Sequence, residues 1–146
     1  MNMISQTEEY ALRAMTCLAF RYPDYMTRDQ LFKLTQVPHA YLPKIMLELN
    51  RTGLIRSQRG HNGGYTLLRD PGETSLLDII NAVNTTSLRE TLSQTDSVST
   101  EISQLHQHLL ESFSMLETTL HQTSLADLVT PPDPPHLKEP SCAQES

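Results

Sequence analysis

The sequence predicts a mainly α-helical fold carrying one small β-hairpin. Three observations carry that expectation. Apolar residues recur at steps of three and four through most of the chain. The period drops to two only on either side of Asn62-Gly63, a step that favours the tight turns of hairpins. A separate run from about Thr100 to Gln122 then keeps its helical spacing for roughly six turns.

Taken in order, Thr7 to Arg21 is a helix with Tyr10, Ala11, Ala14, Cys17 and Leu18 on one face and Glu8, Arg13 and Thr16 elsewhere. Tyr22-Pro23-Asp24 ends it, because the residue before proline is pushed out of the α region. Thr27 with Gln30 reads as a capping box opening a second helix, Arg28 to Leu34. After the turn Thr35-Gln36-Val37-Pro38, a third helix runs from His39 or Ala40 to about Thr52. Its stripe is Leu42, Ile45, Met46 and Leu49, and Gly53 ends it. Pro43 is tolerated only in a first turn, which fixes the start just before it.

Leu54 to Arg59 and Tyr65 to Leu68 then read as two strands joined by Gly60-His61-Asn62-Gly63-Gly64. Ser75 caps a fourth helix with Leu76, Ile79, Ile80 and Val83 inward. Residues 84–98 read as a loop with a partial helix around Leu88 and Leu92. The long helix follows, its apolar positions Ile102, Leu105, Leu109, Phe113, Leu116 and Leu120 spaced as in a coiled-coil seam. Ser124 to Val129 adds a further turn, and residues 131–146, with five of the nine prolines, read as a disordered tail. The expected divisions are 1–83, 84–129 and 130–146.

Three helices followed by a hairpin is the order of a winged helix-turn-helix domain, here extended by a long dimerisation helix. In that arrangement the third helix enters the major groove of DNA and the hairpin, or wing, reaches the adjacent minor groove. Charge is distributed accordingly. The 146-residue chain has a net charge of −6, yet residues 28–69 carry seven Lys/Arg against two Asp/Glu. Arg28, Lys44, Arg51, Arg56 and Arg59 belong to that basic set. Lys44 and Arg51 lie off the apolar stripe of the third helix, and Arg56, Arg59, His61 and Asn62 sit at or near the hairpin tip.

Several segments together resemble the IscR/NsrR-type family of bacterial transcriptional regulators. Ile4 to Ala14 is similar to its N-terminal signature. Tyr41-Leu42, Gly53 to Gly60 and Gly63-Gly64-Tyr65 are similar to its recognition helix and wing. Ser75 to Val83 and Ser124 to Leu128 match later motifs. The resemblance covers about residues 1–129. It implies a homodimer whose long helix crosses to its partner, bound to a palindromic double-stranded DNA site. It further implies base contacts around His39, Ala40, Tyr41, Pro43 and Lys44, with Arg59 as the wing arginine.

Two departures qualify it. Many family members hold an iron–sulfur cluster on three cysteines before the dimer helix, but residues 84–123 contain none. No cofactor and no metal site are therefore expected. Pro38, Ala40 and Pro43 also stand where relatives often carry polar base-reading side chains, so the operator does not carry over.

Other chemistry is sparse. His106 and His108 are two apart on a helix and diverge. Cys17 reads as buried packing, and Cys142 as a passive tail residue. No nucleophile–base pair or paired carboxylates stand out, so an enzyme is not expected. No run approaches the roughly 18 apolar residues of a membrane span, and Glu8 and Glu9 occupy a stretch that is basic in secretory signals. The expectation is a cytoplasmic, dimeric, cluster-free DNA-binding regulator, taken as a repressor, its effector left open between a small molecule and a protein. The alternative is a winged-helix scaffold that dimerises without binding DNA.

Overall fold

The structure, a computed structural model, describes residues 4–61, 63–84 and 99–129. The elements run α1 (Gln6–Arg21), α2 (Arg28–Thr35), α3 (Leu42–Arg51), β1 (Ile55–Gln58), β2 (Gly64–Leu67), a 3-10 turn (Pro71–Glu73), α4 (Leu76–Val83), α5 (Thr100–Gln122) and α6 (Leu125–Val129). The expected mainly α fold with one hairpin is therefore present. The partial helix expected near Leu88 and Leu92 and the tail 130–146 lie outside the described residues. Among the described residues no helix is long and apolar enough to cross a membrane.

Capping chemistry sets most helix starts. The Thr27–Gln30 box opens α2 as expected, with the Gln30 amide donating to Thr27 Oγ1 at 3.1 Å. Ser75 caps α4, and Asp78 returns a bond to the Ser75 amide at 3.0 Å. A further box opens α1: Ser5 accepts from the Glu8 amide, and Glu8 Oε1 accepts from the Ser5 amide at 2.9 Å. This corrects the placing of Glu8 away from the inner face. Its carboxylate bends back to cap the helix and is buried there.

The inner face of α1 also differs from its expected stripe. Met15 is fully buried with Tyr10, Ala11, Ala14 and Leu18, whereas Cys17 is only half-buried. Met15 stands four residues after Ala11 and four before Ala19, on the flank of the stripe that turns inward. Cys17, seven after Tyr10, falls on its edge.

α3 begins at Leu42, later than expected, and His39, Ala40 and Tyr41 form a turn before it. Pro43 causes this, because its ring would strike the carbonyl of residue 39 if the helix already ran through that position. The other end is a Schellman motif. Gly53, at φ +82°, donates to the Asn50 carbonyl at 3.1 Å, and Leu54 donates to the Leu49 carbonyl at 3.0 Å.

β1 and β2 pair antiparallel with Ile55 opposite Leu67 and Gln58 opposite Gly64. β1 is one residue shorter at each end than its apolar run, and β2 keeps the expected four residues but starts one residue earlier, at Gly64. The segment before α2 adds a bridge that the sequence did not reveal. Met26 and Tyr65 exchange two backbone bonds of 2.8 Å, which lash the wing to the start of α2.

The core gathers α1, α2, α3, the hairpin and α4 around Met15, Leu18, Met26, Leu31, Leu42, Met46, Leu49 and Ile79, all at most 1% exposed. Leu125 of α6 is buried in the same core although α5 separates it in sequence. The Leu76 amide donates to the Thr123 carbonyl at 2.9 Å, and the Leu125 amide to the Thr74 carbonyl at 3.0 Å. These bonds close the chain behind α5, which packs on α4. No residue of α5 is fully buried. Phe113, Leu116 and Leu120 are half-covered, while Ile102, Leu105 and Leu109 are exposed.

Gly64 is where the wing presses against the segment before α2. Its φ is +144°, and a Cβ there would collide with the Met26 carbonyl. Gly60, at φ +110°, has open space around it. Gly64→Ala should cost about 2–3 kcal/mol in urea unfolding, and Gly60→Ala about 1 kcal/mol. Equal midpoints for the two variants would show that the Met26 contact does not constrain the wing.

Candidate nucleic-acid interface

The turn between α2 and α3 sets the angle at which α3 is presented. Gln36 caps α2 in the left-handed region at φ +58°, unusual for a residue with a side chain. Local bonds hold it there: its amide donates to the Phe32 carbonyl at 2.9 Å and its Nε2 to the Lys33 carbonyl at 2.8 Å. Val37 is fully buried beneath the turn, and its amide donates to Thr35 Oγ1. From α1, Arg13 reaches across to the Thr35 carbonyl at 3.0 Å while Glu9 holds its Nε at 2.8 Å. One arginine thus fixes the end of α2 against α1.

Two expected contact residues are held by aromatic neighbours at this turn. The His39 ring stacks on Phe32 with centroids 3.6 Å apart and planes at 19°. One face of the imidazole is covered and its edge stays exposed. Tyr41 tilts against Tyr10 at 5.6 Å and remains 43% exposed. Arg13 lies over the other end of that pair, 5.5 Å from the Tyr10 ring.

α3 buries Leu42, Ile45, Met46 and Leu49, the stripe read from the sequence. The opposite side exposes Pro43, Lys44, Leu47, Asn50 and Arg51. Arg51 lies 3.6 Å from Glu48 one turn back, an exposed pair worth at most about 1 kcal/mol and easily exchanged for a phosphate. Arg28, Lys44, Arg56 and Arg59 have no ion-pair partner among the described residues.

Between α3 and the wing lies an open cleft of about 650 Å³. Arg28 from the start of α2, Pro43, Leu47 and Asn50 from α3, and Arg59 from the wing line it. Of the residues expected to meet DNA, the cleft gathers Arg28, Pro43 and Arg59. His39, Ala40, Tyr41, Lys44, Arg51, Arg56 and His61 are exposed but lie outside it. Asn62 is outside the described residues.

Leu47 and Asn50 are the additions. Both lie off the apolar stripe of α3, and that angular displacement was the signal available in the sequence. Asn50 carries the amide that pairs with adenine in the major groove. Leu47 offers only apolar surface.

Cys17 lines a shallow, mostly apolar hollow on the far side of α1 with Leu12, Thr16 and Leu34. Its burial pushes the thiol pKa up, against the lowering pull of Arg21. A thiol kept protonated is a poor nucleophile and a poor ligand. His108 sits 3.8 Å from Glu111 on the surface of α5. No group of three or more His, Cys, Asp or Glu among the described residues is placed to hold a metal ion.

A family model described as Rrf2, an iron-dependent transcriptional regulator, matches residues 4–131. An HTH-type transcriptional regulator of Aquifex aeolicus is 32% identical over 78 residues, 53% of this chain and 54% of that one. The chain thus spans about half the length of that relative, as it does of another from Rhodobacter capsulatus, at 57%. The regulator IscR of Cereibacter sphaeroides is 28% identical over 133 residues, 86% of each chain. CymR, the global cysteine regulator of B. subtilis, has the same fold, with a TM-score of 0.75 at 24% identity over 91% of this chain and 100% of that one.

The iron in the family description does not suit the donors of this chain. Cysteine-held clusters need several converging thiolates, and the sequence has two cysteines, neither within 84–123. The scaffold alternative drops out, since the family and these relatives are transcriptional regulators. The match spans the six helices and two strands of the described residues, and the chain belongs to the Rrf2 family of transcriptional regulators.

Proposed function

We propose that two copies of the chain associate through α5 and bind a palindromic DNA site as a repressor, with α3 in the major groove and the wing in the adjacent minor groove. The carrying observation is the open cleft that sets the exposed side of α3 opposite Arg59 of the wing, with Arg28 at its rim. A helix and an arginine-bearing hairpin on one side of a small domain suit neighbouring grooves of one duplex. His39, Ala40, Tyr41, Pro43 and Lys44 meet base edges or sugar–phosphate near the start of α3. Arg51 and Arg56 meet phosphates, and His61 and Asn62 accompany Arg59 at the wing tip.

The dimer rests on α5. Ile102, Leu105 and Leu109 are exposed on a helix with no buried residue, and they continue the line of the half-covered Phe113, Leu116 and Leu120. A second copy of the same face, related by a two-fold axis, covers that line and supplies the symmetry a palindrome requires. Burying it contributes roughly 25 cal/mol per Å² of apolar surface. A signal, whether a small molecule or a protein, acts by changing how α5 sits relative to the two wings, without a cysteine-held cluster.

Affinity for a bound promoter fragment should fall steeply with salt, and Arg59→Ala should weaken it by about 1–3 kcal/mol with a shallower salt slope. Unchanged binding by that variant would remove the wing from the interface. Leu109→Glu should give a folded monomer by light scattering at micromolar concentration, with DNA affinity at least tenfold lower; a persistent dimer would move the interface away from α5. Protein purified without oxygen should be colourless and free of acid-labile sulfide. A brown preparation with stoichiometric iron would overturn the cluster-free reading.

A further inference from the structure

An apolar ridge interrupts the polar side of α3. Leu42, Ile45, Met46 and Leu49 face the core, and Leu47 points away from it, 57% exposed. A single leucine at a surface is unremarkable. This one stands amid exposed Lys44, Asn50 and Arg51, with exposed Pro43 one turn before it. Pro43 and Leu47 follow one another at i and i+4, on one face of the helix, and both line the cleft that faces the wing. Water is a poor neighbour for such a ridge, and the flanking cations point to a polyanion as what covers it.

We infer that Leu47, with Pro43 beside it, reads thymine C5-methyl groups in the major groove, which makes thymines at two positions of each half-site part of the recognised sequence. The inference rests on the DNA-binding reading above and deepens it. The thymine methyl is the one apolar group that base edges offer in the major groove. Contact between it and an exposed leucine removes apolar surface of both from water. Four helical residues advance about 6 Å along the axis, and successive base pairs are about 3.4 Å apart. A helix in the groove is inclined to the duplex axis, so the two thymines stand within about two base pairs of each other. Lys44 and Arg51, beside the ridge, hold phosphates and fix its register but carry no sequence preference themselves.

The test uses the full-length native protein and a half-site defined by footprinting on its own genomic DNA. Deoxyuridine replaces each thymine in turn, which removes the methyl and keeps the base pair, and affinity is read by fluorescence anisotropy. The native protein should lose about fourfold at each of two positions within about two base pairs of each other, and little elsewhere. Leu47→Ala, an exposed substitution, should bind unmodified DNA more weakly. It should also lose the thymine–deoxyuridine difference at one of those positions, while binding to non-specific DNA is unchanged. Sequence-specific binding that ignores deoxyuridine at every position overturns this inference and leaves the DNA-binding reading standing. Undiminished discrimination in Leu47→Ala overturns the assignment to Leu47. Failure of the native protein to bind any genomic fragment specifically overturns both.

Discussion

Two backbone hydrogen bonds tie the long helix to the domain before it. The Leu76 amide donates to the Thr123 carbonyl, and the Leu125 amide donates to the Thr74 carbonyl. They join the residues just after α5 to the start of α4, and Leu125 then enters the core shared by α1, α2, α3 and α4. Buried amides and carbonyls rarely go without partners, so this crossing fixes where α5 leaves the core. Among the described residues α5 itself buries nothing fully, and it packs along α4. Its direction relative to α3 and the wing depends on that anchor.

The turn before α3 and the cleft beside it are braced from behind by bonds and stacks. Arg13 draws the end of α2 onto α1, Gln36 holds a left-handed turn, and Phe32 supports the ring of His39. A left-handed glutamine costs roughly 1–2 kcal/mol in isolation, and its two local bonds offset that cost. On the other side, the Met26–Tyr65 bridge binds the wing to the start of α2. The result is a cleft whose walls come from two separately braced elements. Ordering these groups during folding lowers the entropy lost when a ligand is bound.

Electrostatics follow the same division of labour. A chain of net charge −6 is an unpromising ligand for DNA if charge is averaged over it. Cations instead concentrate between residues 28 and 69, and Arg28, Lys44, Arg56 and Arg59 stand without ion-pair partners among the described residues. Among the described expected contacts Arg51 is the cation held in an ion pair, by Glu48. That pair sits in water and yields readily, so it tempers association more than it prevents it.

The sequence by itself determined the helices and the hairpin of the described residues, because those rest on local periodicity and on caps such as Thr27–Gln30 and Gly53. It also determined the stripe of α3 and therefore which side faces out. Tertiary structure decided everything that depends on distant partners. The Met26 bridge is one residue long and leaves no periodic trace. The burial of Leu125 depends on a partner fifty residues away, Thr74, and on the core beneath it. Cys17 fell to the edge of α1 and Met15 took its place, because the neighbours of α1 decide which flank of its broad stripe is covered. Of the expected DNA contacts, the cleft collects Arg28, Pro43 and Arg59 only because the wing is lashed to α2. Spacing along a chain specifies direction from one element, whereas convergence requires the packing angle between elements, and that angle is set by contacts far apart in sequence.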